Sequence, residues 1–213
     1  TGVSRFIYFA TPIIMTGLSV AFAFKTGLFN IGASGQFIIG AYVAVHIGVK
    51  WTFLPPSIHW VVALIGAGLA GALWGAIPGI LKAFANVNEV ISSIMTNYIG
   101  MYLVNMLVVK NVFDQLRNAI IPKLGIGDTN INYAIIIALA FVIIIYILLE
   151  KTTIGYELKA CGQNKFASKY AGINEKKNII LAMVIAGLLS GIGGGLMYLY
   201  GAGKYIQVLD IIA

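Results

Sequence analysis

Long apolar runs alternate with short polar connections along this chain, and the runs are of helix length. Six can be drawn: about Phe6–Phe24, Leu28–Val49, Trp60–Leu81, Val90–Val109, Tyr133–Leu149 and Asn178–Tyr200. Several approach or exceed the roughly 20 apolar residues that carry a helix across a bilayer. Pro12 lies inside the first run and is expected to kink it, because proline removes a backbone donor and crowds the preceding turn. No stretch rich in Pro, Gly and Ser divides the pattern, so residues 1–213 read as one domain. The expected fold is all-α, a polytopic transmembrane helix bundle. The chain starts at Thr1 and stops in the apolar "YIQVLDIIA", which reads as the core of a longer protein with helices missing at both ends.

Small residues mark where helices meet. Ala67, Gly71, Gly75 and Gly79 recur at every fourth position of the third run, and Gly187, Gly191 and Gly195 do so in the sixth. Residues four apart share a helix face, and small ones let two backbones approach where lipid removes the hydrophobic drive between helices. These stripes imply a tight bundle.

Polar residues at membrane depth mark a different face. In "NEVISSIMTNYIGMYLVN" (88–105), Glu89, Ser93, Asn97, Met101 and Asn105 are spaced by four, with Ser92 and Thr96 beside them. Hydrocarbon offers such groups no partners, so they face the bundle interior or a water-filled path. As a stripe they read as a polar path. Taken singly, each also fits an ordinary interhelical hydrogen bond, and Glu89 fits a carboxylate at a helix start. Asn30 and Gln36 open the second run among Gly27, Gly32 and Gly35, where the backbone can bend. A turn and a half of helix between them means that they need not share a face.

Composition fixes the solvent. Charged residues are 10% of the chain, against roughly 25% in soluble domains, and apolar residues are 60%. The net charge of +7 sits in the connections rather than along an aromatic-flanked face, which argues for lipid headgroups and against nucleic acid. Residues 150–177 hold Lys151, Lys159, Lys165, Lys169, Lys176 and Lys177 against Glu150, Glu157 and Glu175. The positive-inside rule makes this loop cytoplasmic. Parity then puts 25–27 and 82–89 inside, and 50–59 and 110–132 outside, although Lys110, Arg117 and Lys123 lie in that last loop. The single cysteine, Cys161, excludes an internal disulfide and a cysteine-based metal site.

Two chemistries are tested and set aside. Gly32-Ala33-Ser34-Gly35 matches the Gly-x-Ser-Gly of a rhomboid-like intramembrane protease, whose serine needs a base within reach. His46 is twelve residues away along the same helix, about 18 Å, and His59 falls at the outer mouth of the third run. Neither serves, and Ser34 reads as a small packing residue. No Gly-x4-Gly-Lys-[Ser/Thr] occurs; in "GAGKY" Tyr205 follows the lysine. The chain carries no catalytic residue and no nucleotide site of its own, so any ATP is hydrolysed by another subunit.

The cytoplasmic stretch "TTIGYELKACGQNKFASKYAGINEKKN" (152–178) is too long for a plain connection. Gly155 and Gly162 punctuate it. Asn164 can cap a short helix to about Ala171, ended by Gly172. Phe166 and Tyr170 share one face with Ala167 and Ala171 beside them, and Lys165 and Lys169 share another. Such a helix lies on lipid or docks in a groove of a partner.

The runs "TGLSVAFAFKTGLFNIG…GQ", "NEVISSIMTNYI" and "T.GYELKACGQN..AS.YAGI" resemble the permease subunits of ATP-binding-cassette importers. The branch is the one for ribose, branched-chain amino acids and nucleosides, with the greatest similarity to nucleoside permeases of the simple-sugar type. The resemblance covers nearly the whole chain, with the three motifs in the family's order. It implies a bacterial plasma-membrane machine of two permease chains, in this branch often a heterodimer. It also implies two cytoplasmic ATPases and an extracellular solute-binding lipoprotein. The helix at Asn164–Ala171 would be the coupling helix seated in the ATPase, its turns set by Gly155, Gly162 and Gly172. Asn30, Gln36, Glu89, Ser92, Ser93, Thr96 and Asn97 would line or support the solute path. Phe29, Phe37, Tyr98 and Tyr102 are the rings on which a nucleobase could stack. A sugar or branched-chain amino acid is the alternative cargo. Relatives often carry an acid where Ser34 stands, and that carboxylate is absent here.

Overall fold

A computed structural model describes residues 2–51, 53–111, 121 and 133–199. Arg117 and Lys123 of the outer loop, the "GAGKY" segment and the C-terminal apolar run lie outside the described residues. Among the described residues eight helices follow in order: α1 Gly2–Lys25, α2 Ala33–Lys50, α3 Pro56–Ala85, α4 Glu89–Asn111, α5 Ala134–Lys151, α6 Thr153–Gln163, α7 Lys165–Tyr170 and α8 Glu175–Tyr198. The six long ones correspond to the six apolar runs. Helix α1 is continuous through Pro12, and α3 likewise accommodates Pro78.

Five of the six, α1, α3, α4, α5 and α8, are long and apolar enough to cross a membrane. Helix α2, 18 residues long, is not among them. It is instead wrapped by α1, α3, α4 and α8. Ser34 and Lys50 are its only exposed residues. The sixth expected span is therefore an interior element sheltered from lipid by its neighbours.

Helix α8 is the axis of the bundle, packed by α1, α2 and α3. Its two small-residue neighbours meet it backbone to backbone. The stripe on α3 faces the stripe on α8: a Cβ on Gly71 would strike the Gly187 carbonyl and lie 2.7 Å from Gly191 Cα. On the other side, Gly40 of α2 abuts Gly191, and Gly194 abuts the Phe37 carbonyl. Each pairing leaves no room for a methyl group, so glycine here is a steric requirement of close approach. Met183, Ala186, Leu189 and Leu196 complete this core. Helix α5 touches the bundle mainly through α1 and presents Leu139, Ile143 and Tyr146 outward, as a lipid-facing helix should.

The second helix starts at Ala33, five residues later than expected from the apolar run. The cause is a Schellman ending of α1. Gly27 adopts φ 74°; its N–H donates to Phe24 O at 3.1 Å and that of Leu28 to Ala23 O at 2.9 Å. The chain then crosses Leu28–Gly32 without helix. The same motif ends α7, with φ 79° at Gly172, Gly172 N–H on Lys169 O at 3.1 Å and Ile173 N–H on Ser168 O at 3.0 Å.

Gly155 and Gly162 do not set turns, contrary to the expectation from their sequence. Both lie inside α6, a helix that the sequence pattern did not reveal. Gly155 sits on the backbone of Leu148 and Leu149, where α5 folds into α6. A Cβ on Gly162 would stand 2.5 Å from the Thr26 carbonyl carbon. Thus α6 is held against the turn between α1 and α2.

This contact predicts a measurable change. Replacing Gly162 by leucine should lift α6 from the Thr26–Gly27 turn and raise the maleimide labelling rate of the half-buried Cys161 thiol. Any cysteines elsewhere in the full-length protein would first be removed. An unchanged rate would mean that the close approach does not hold α6 in place.

Candidate translocation path and coupling end

The connection between α1 and α2 carries the first polar cluster. Asn30 and Gln36 are each 1% exposed, and their amides pair reciprocally. Asn30 Nδ2 donates to Gln36 Oε1 at 2.9 Å, and Gln36 Nε2 donates to Asn30 Oδ1 at 3.1 Å. Asn30 Nδ2 also reaches Ser19 Oγ at 3.2 Å, and Ser19 Oγ donates to Ala186 O on α8 at 2.6 Å. The turn at Leu28–Gly32 brings Asn30 back onto the start of α2, which separation along an ideal helix could not show. Buried amides satisfied this way tie α1, the turn, α2 and α8 into one unit.

Helix α4 is fastened to the same place. Asn97 Oδ1 accepts from Gly35 N–H at 2.9 Å, and Asn97 Nδ2 donates to Ile31 O at 2.9 Å. Gly35 lies in the first turn of α2, where a backbone N–H has no helical partner. Asn97 therefore caps α2 from a neighbouring helix; its own N-cap, Gly32, has no side chain to do so. Ser93 lies one turn toward the start of α4, fully buried, with its Oγ unpaired among the described residues. Thr96 donates to Ser93 O at 2.9 Å, Ser92 shares its hydroxyl between Asn88 O and Glu89 O, and Trp74 of α3 donates to Thr96 O at 3.3 Å.

Ser34 corrects its sequence reading as a packing residue: it is exposed. Two grooves flank it and share Ser34 and Ile38. One, about 310 Å³, lies toward Pro12, Ile13 and Thr16 of α1. The other, about 350 Å³, is closed by Ile94, Asn97, Tyr98 and Met101 of α4. Of the four candidate rings, Tyr98 and Tyr102 are more than half exposed, Phe29 is paired edge-on with Phe24, and Phe37 is buried against Gly193. His59 is buried with a ring nitrogen 3.0 Å from Ile47 O, and the His46 ring lies tilted at 38° beside Tyr42. Both are engaged in the half of α2 remote from Ser34.

The basic end gathers the helix connections. A cavity of about 360 Å³ is bounded by the turn at Thr26–Leu28, by Lys82 and Glu89, by Cys161–Asn164 and by Asn178. Glu89 starts α4 and pairs with Lys82, the last basic residue of α3, at 2.8 Å. Asn178 donates to Glu157 at 3.3 Å, joining α8 to α6. Helix α7 is capped as expected: Asn164 Oδ1 accepts from Phe166 N–H and Ala167 N–H, both at 3.0 Å. Ser168 is its buried residue; Phe166, Ala167 and Tyr170 face outward, Tyr170 at 95% exposure.

The reciprocal amide pair yields a double-mutant cycle. Asn30→Ala and Gln36→Ala should each destabilise the protein, and the double variant should lose less than their sum, by about 1 kcal/mol. Denaturation in mixed micelles reads this coupling. Strict additivity would refute the pairing.

Comparison with known proteins places the chain. The model of the permease component of branched-chain amino acid transport systems matches residues 2–212. The guanosine ABC transporter permease protein NupP of Bacillus subtilis is 41% identical over 198 residues, covering 87% of this chain and 56% of its own length. The nucleoside ABC transporter permease protein NupB of Lactococcus lactis is 38% identical over 213 residues, 92% of this chain and 57% of its own. A glucose ABC transporter permease protein of Haloferax volcanii is 29% identical, across 91% of this chain and 56% of its own length. The chain thus spans little more than half the length of these relatives. None of them lends support to the protease reading of Ser34. No solved structure matches the chain significantly. With a family match from one end to the other and an all-helical, membrane-crossing fold beneath it, the chain belongs to the permease component family of branched-chain amino acid-type transport systems.

Proposed function

We propose that this chain forms the membrane path of an ATP-driven nucleoside importer and takes no part in bond chemistry. The observation that carries the cargo is the 41% and 38% identity to permeases named for guanosine and for nucleosides, above the 29% to a glucose permease. A cytoplasmic ABC ATPase drives it, an extracellular binding lipoprotein delivers the solute, and a second, different permease chain completes the path.

Within this reading, the outward α7 seats in the ATPase with Phe166, Ala167 and Tyr170 as its contact face. Asn164 and Gly172 fix the two ends of that helix. Motion of α7 passes to α6, and from Gly162 to the turn at Thr26–Gly27, the start of the Asn30–Gln36 unit. Asn97 then links that unit to α4. Glu89, Ser92, Ser93 and Thr96 shape the cytoplasmic half of α4 along the same route. Asn30 and Gln36 support the path, and the groove at Ser34, Asn97 and Tyr98 lines it.

Uptake of labelled guanosine and uridine tests the proposal in cells lacking the full-length gene. Wild type and Ser34→Ala should both restore uptake. Gly162→Leu, and Gly172→Leu with its positive φ, should reach the membrane without restoring it. Movement of a sugar or amino acid in place of nucleosides would overturn the cargo. Loss of uptake in Ser34→Ala alone would give that serine a direct role.

A further inference from the structure

A second groove lies at the basic end and shares no lining residue with the Lys82–Glu89 cavity. It encloses about 520 Å³ between the last turn of α3 and the first turns of α8. Phe84, Ile180, Leu181 and Val184 form its walls, and its polar groups are confined to Asn174, Lys176 and Lys177 at one end. Val184 is eight residues beyond Lys176, so the apolar part runs about 12 Å into the bundle from the lysines. Beside it the two helices pack closely, Gly79 of α3 against Ile180 and Met183 of α8.

The charges are arranged for an anion. Glu175, the acid of this turn, borders the other cavity instead. Lys176 and Lys177 are exposed and make no ion pair among the described residues. Lysines at the end of a membrane helix usually extend into water. Lys176 instead turns across to α3, its Nζ 5.0 Å from the centre of the Phe84 ring. It thereby stands beside Phe84 at the end of the groove, and Lys177 lines the same groove above its apolar walls. Basic groups above an intramembrane groove fit an anionic headgroup with its acyl chain below.

We propose that this groove binds an anionic phospholipid of the inner leaflet, its phosphate held by Lys176 and Lys177 and the start of one acyl chain lying along Phe84, Ile180, Leu181 and Val184. A bound lipid would brace the ends of α3 and α8 beside Asn174. Asn174 is the N-cap of α8, which follows directly on the Gly172 turn that ends α7. The site therefore lies where lipid composition can stiffen or loosen the support of α7.

Photolabelling of the full-length protein in nanodiscs with a photoactivatable phosphatidylglycerol tests this. Label should appear in peptides containing Phe84 or residues 176–184, and phosphatidylglycerol should compete it away. The Lys176→Gln/Lys177→Gln variant should lower labelling roughly thirtyfold, from two cations near an anionic lipid. Lys151→Gln, an exposed lysine at the end of α5, should leave it unchanged. Leu181→Trp, which fills the groove and keeps both lysines, should also lower it. Equal competition by phosphatidylcholine would reduce the groove to ordinary lipid contact and overturn the proposal. Competition by inorganic phosphate would replace it with a free-anion site. Unchanged labelling in the double-lysine variant, with or without loss of ATPase co-purification, would equally overturn it.

Discussion

The close approach of α8 to α3 and α2, made through glycine, is the constraint on which the rest of this protein depends. In lipid, apolar side chains gain nothing by leaving one hydrocarbon environment for another, so association rests on packing and polar pairs. Gly40, Gly71, Gly187 and Gly191 bring the backbones of α2, α3 and α8 into contact. Only that proximity lets α2 lie sheathed by its neighbours, with Ser34 and Lys50 alone exposed along it. Once α2 is inside, its beginning needs polar partners, and Asn30, Ser19 and Asn97 supply them.

The same constraint separates two kinds of polarity. Amides at Asn30 and Gln36 answer each other, so they hold rather than offer; each such contact is worth about 1 kcal/mol in a membrane protein. Ser34 is left outside that closure, on a surface flanked by grooves. The basic end repeats the logic at the membrane boundary. Lys82 and Glu89 join consecutive helices, Glu157 and Asn178 join α6 to α8, and Gly162 lays α6 on the α1–α2 turn. Contacts thus run without a gap from α7 through α6 to the turn before α2.

Much of this was legible from spacing. Apolar runs located all six long helices, and the four-residue stripes of Gly71 and Gly187 announced close packing. A stripe cannot name its partner, and only the fold showed that these two face each other. Asn164 and Gly172 carried their cap chemistry openly, because both act through residues next to them in sequence. Gly155 and Gly162 misled for the opposite reason. Their glycine serves a contact with chain 7 residues away in one case and 136 in the other, and inside a helix that need looks like a break. Spacing left open whether Asn30 and Gln36 meet, because the apolar run hides the non-helical Leu28–Gly32 segment that follows the Schellman turn and folds Asn30 back onto α2. Ser34 drew attention for a protease-like motif, while its exposure depended on how α1 and α4 splay beside it.

Paired glycine-to-alanine substitutions in the full-length protein give the most direct test of the central claim. Gly17, inside α1, has nothing within 4 Å of where a Cβ would lie. Gly17→Ala should stabilise by about 0.5–1 kcal/mol, through helix propensity alone. Gly187→Ala places the same methyl against the Gly71 carbonyl, and should destabilise by about 1–3 kcal/mol as overpacking. Thermal unfolding in micelles reads both. Opposite signs would support the glycine seam as the axis of the bundle, and a stabilising Gly187→Ala would contradict it.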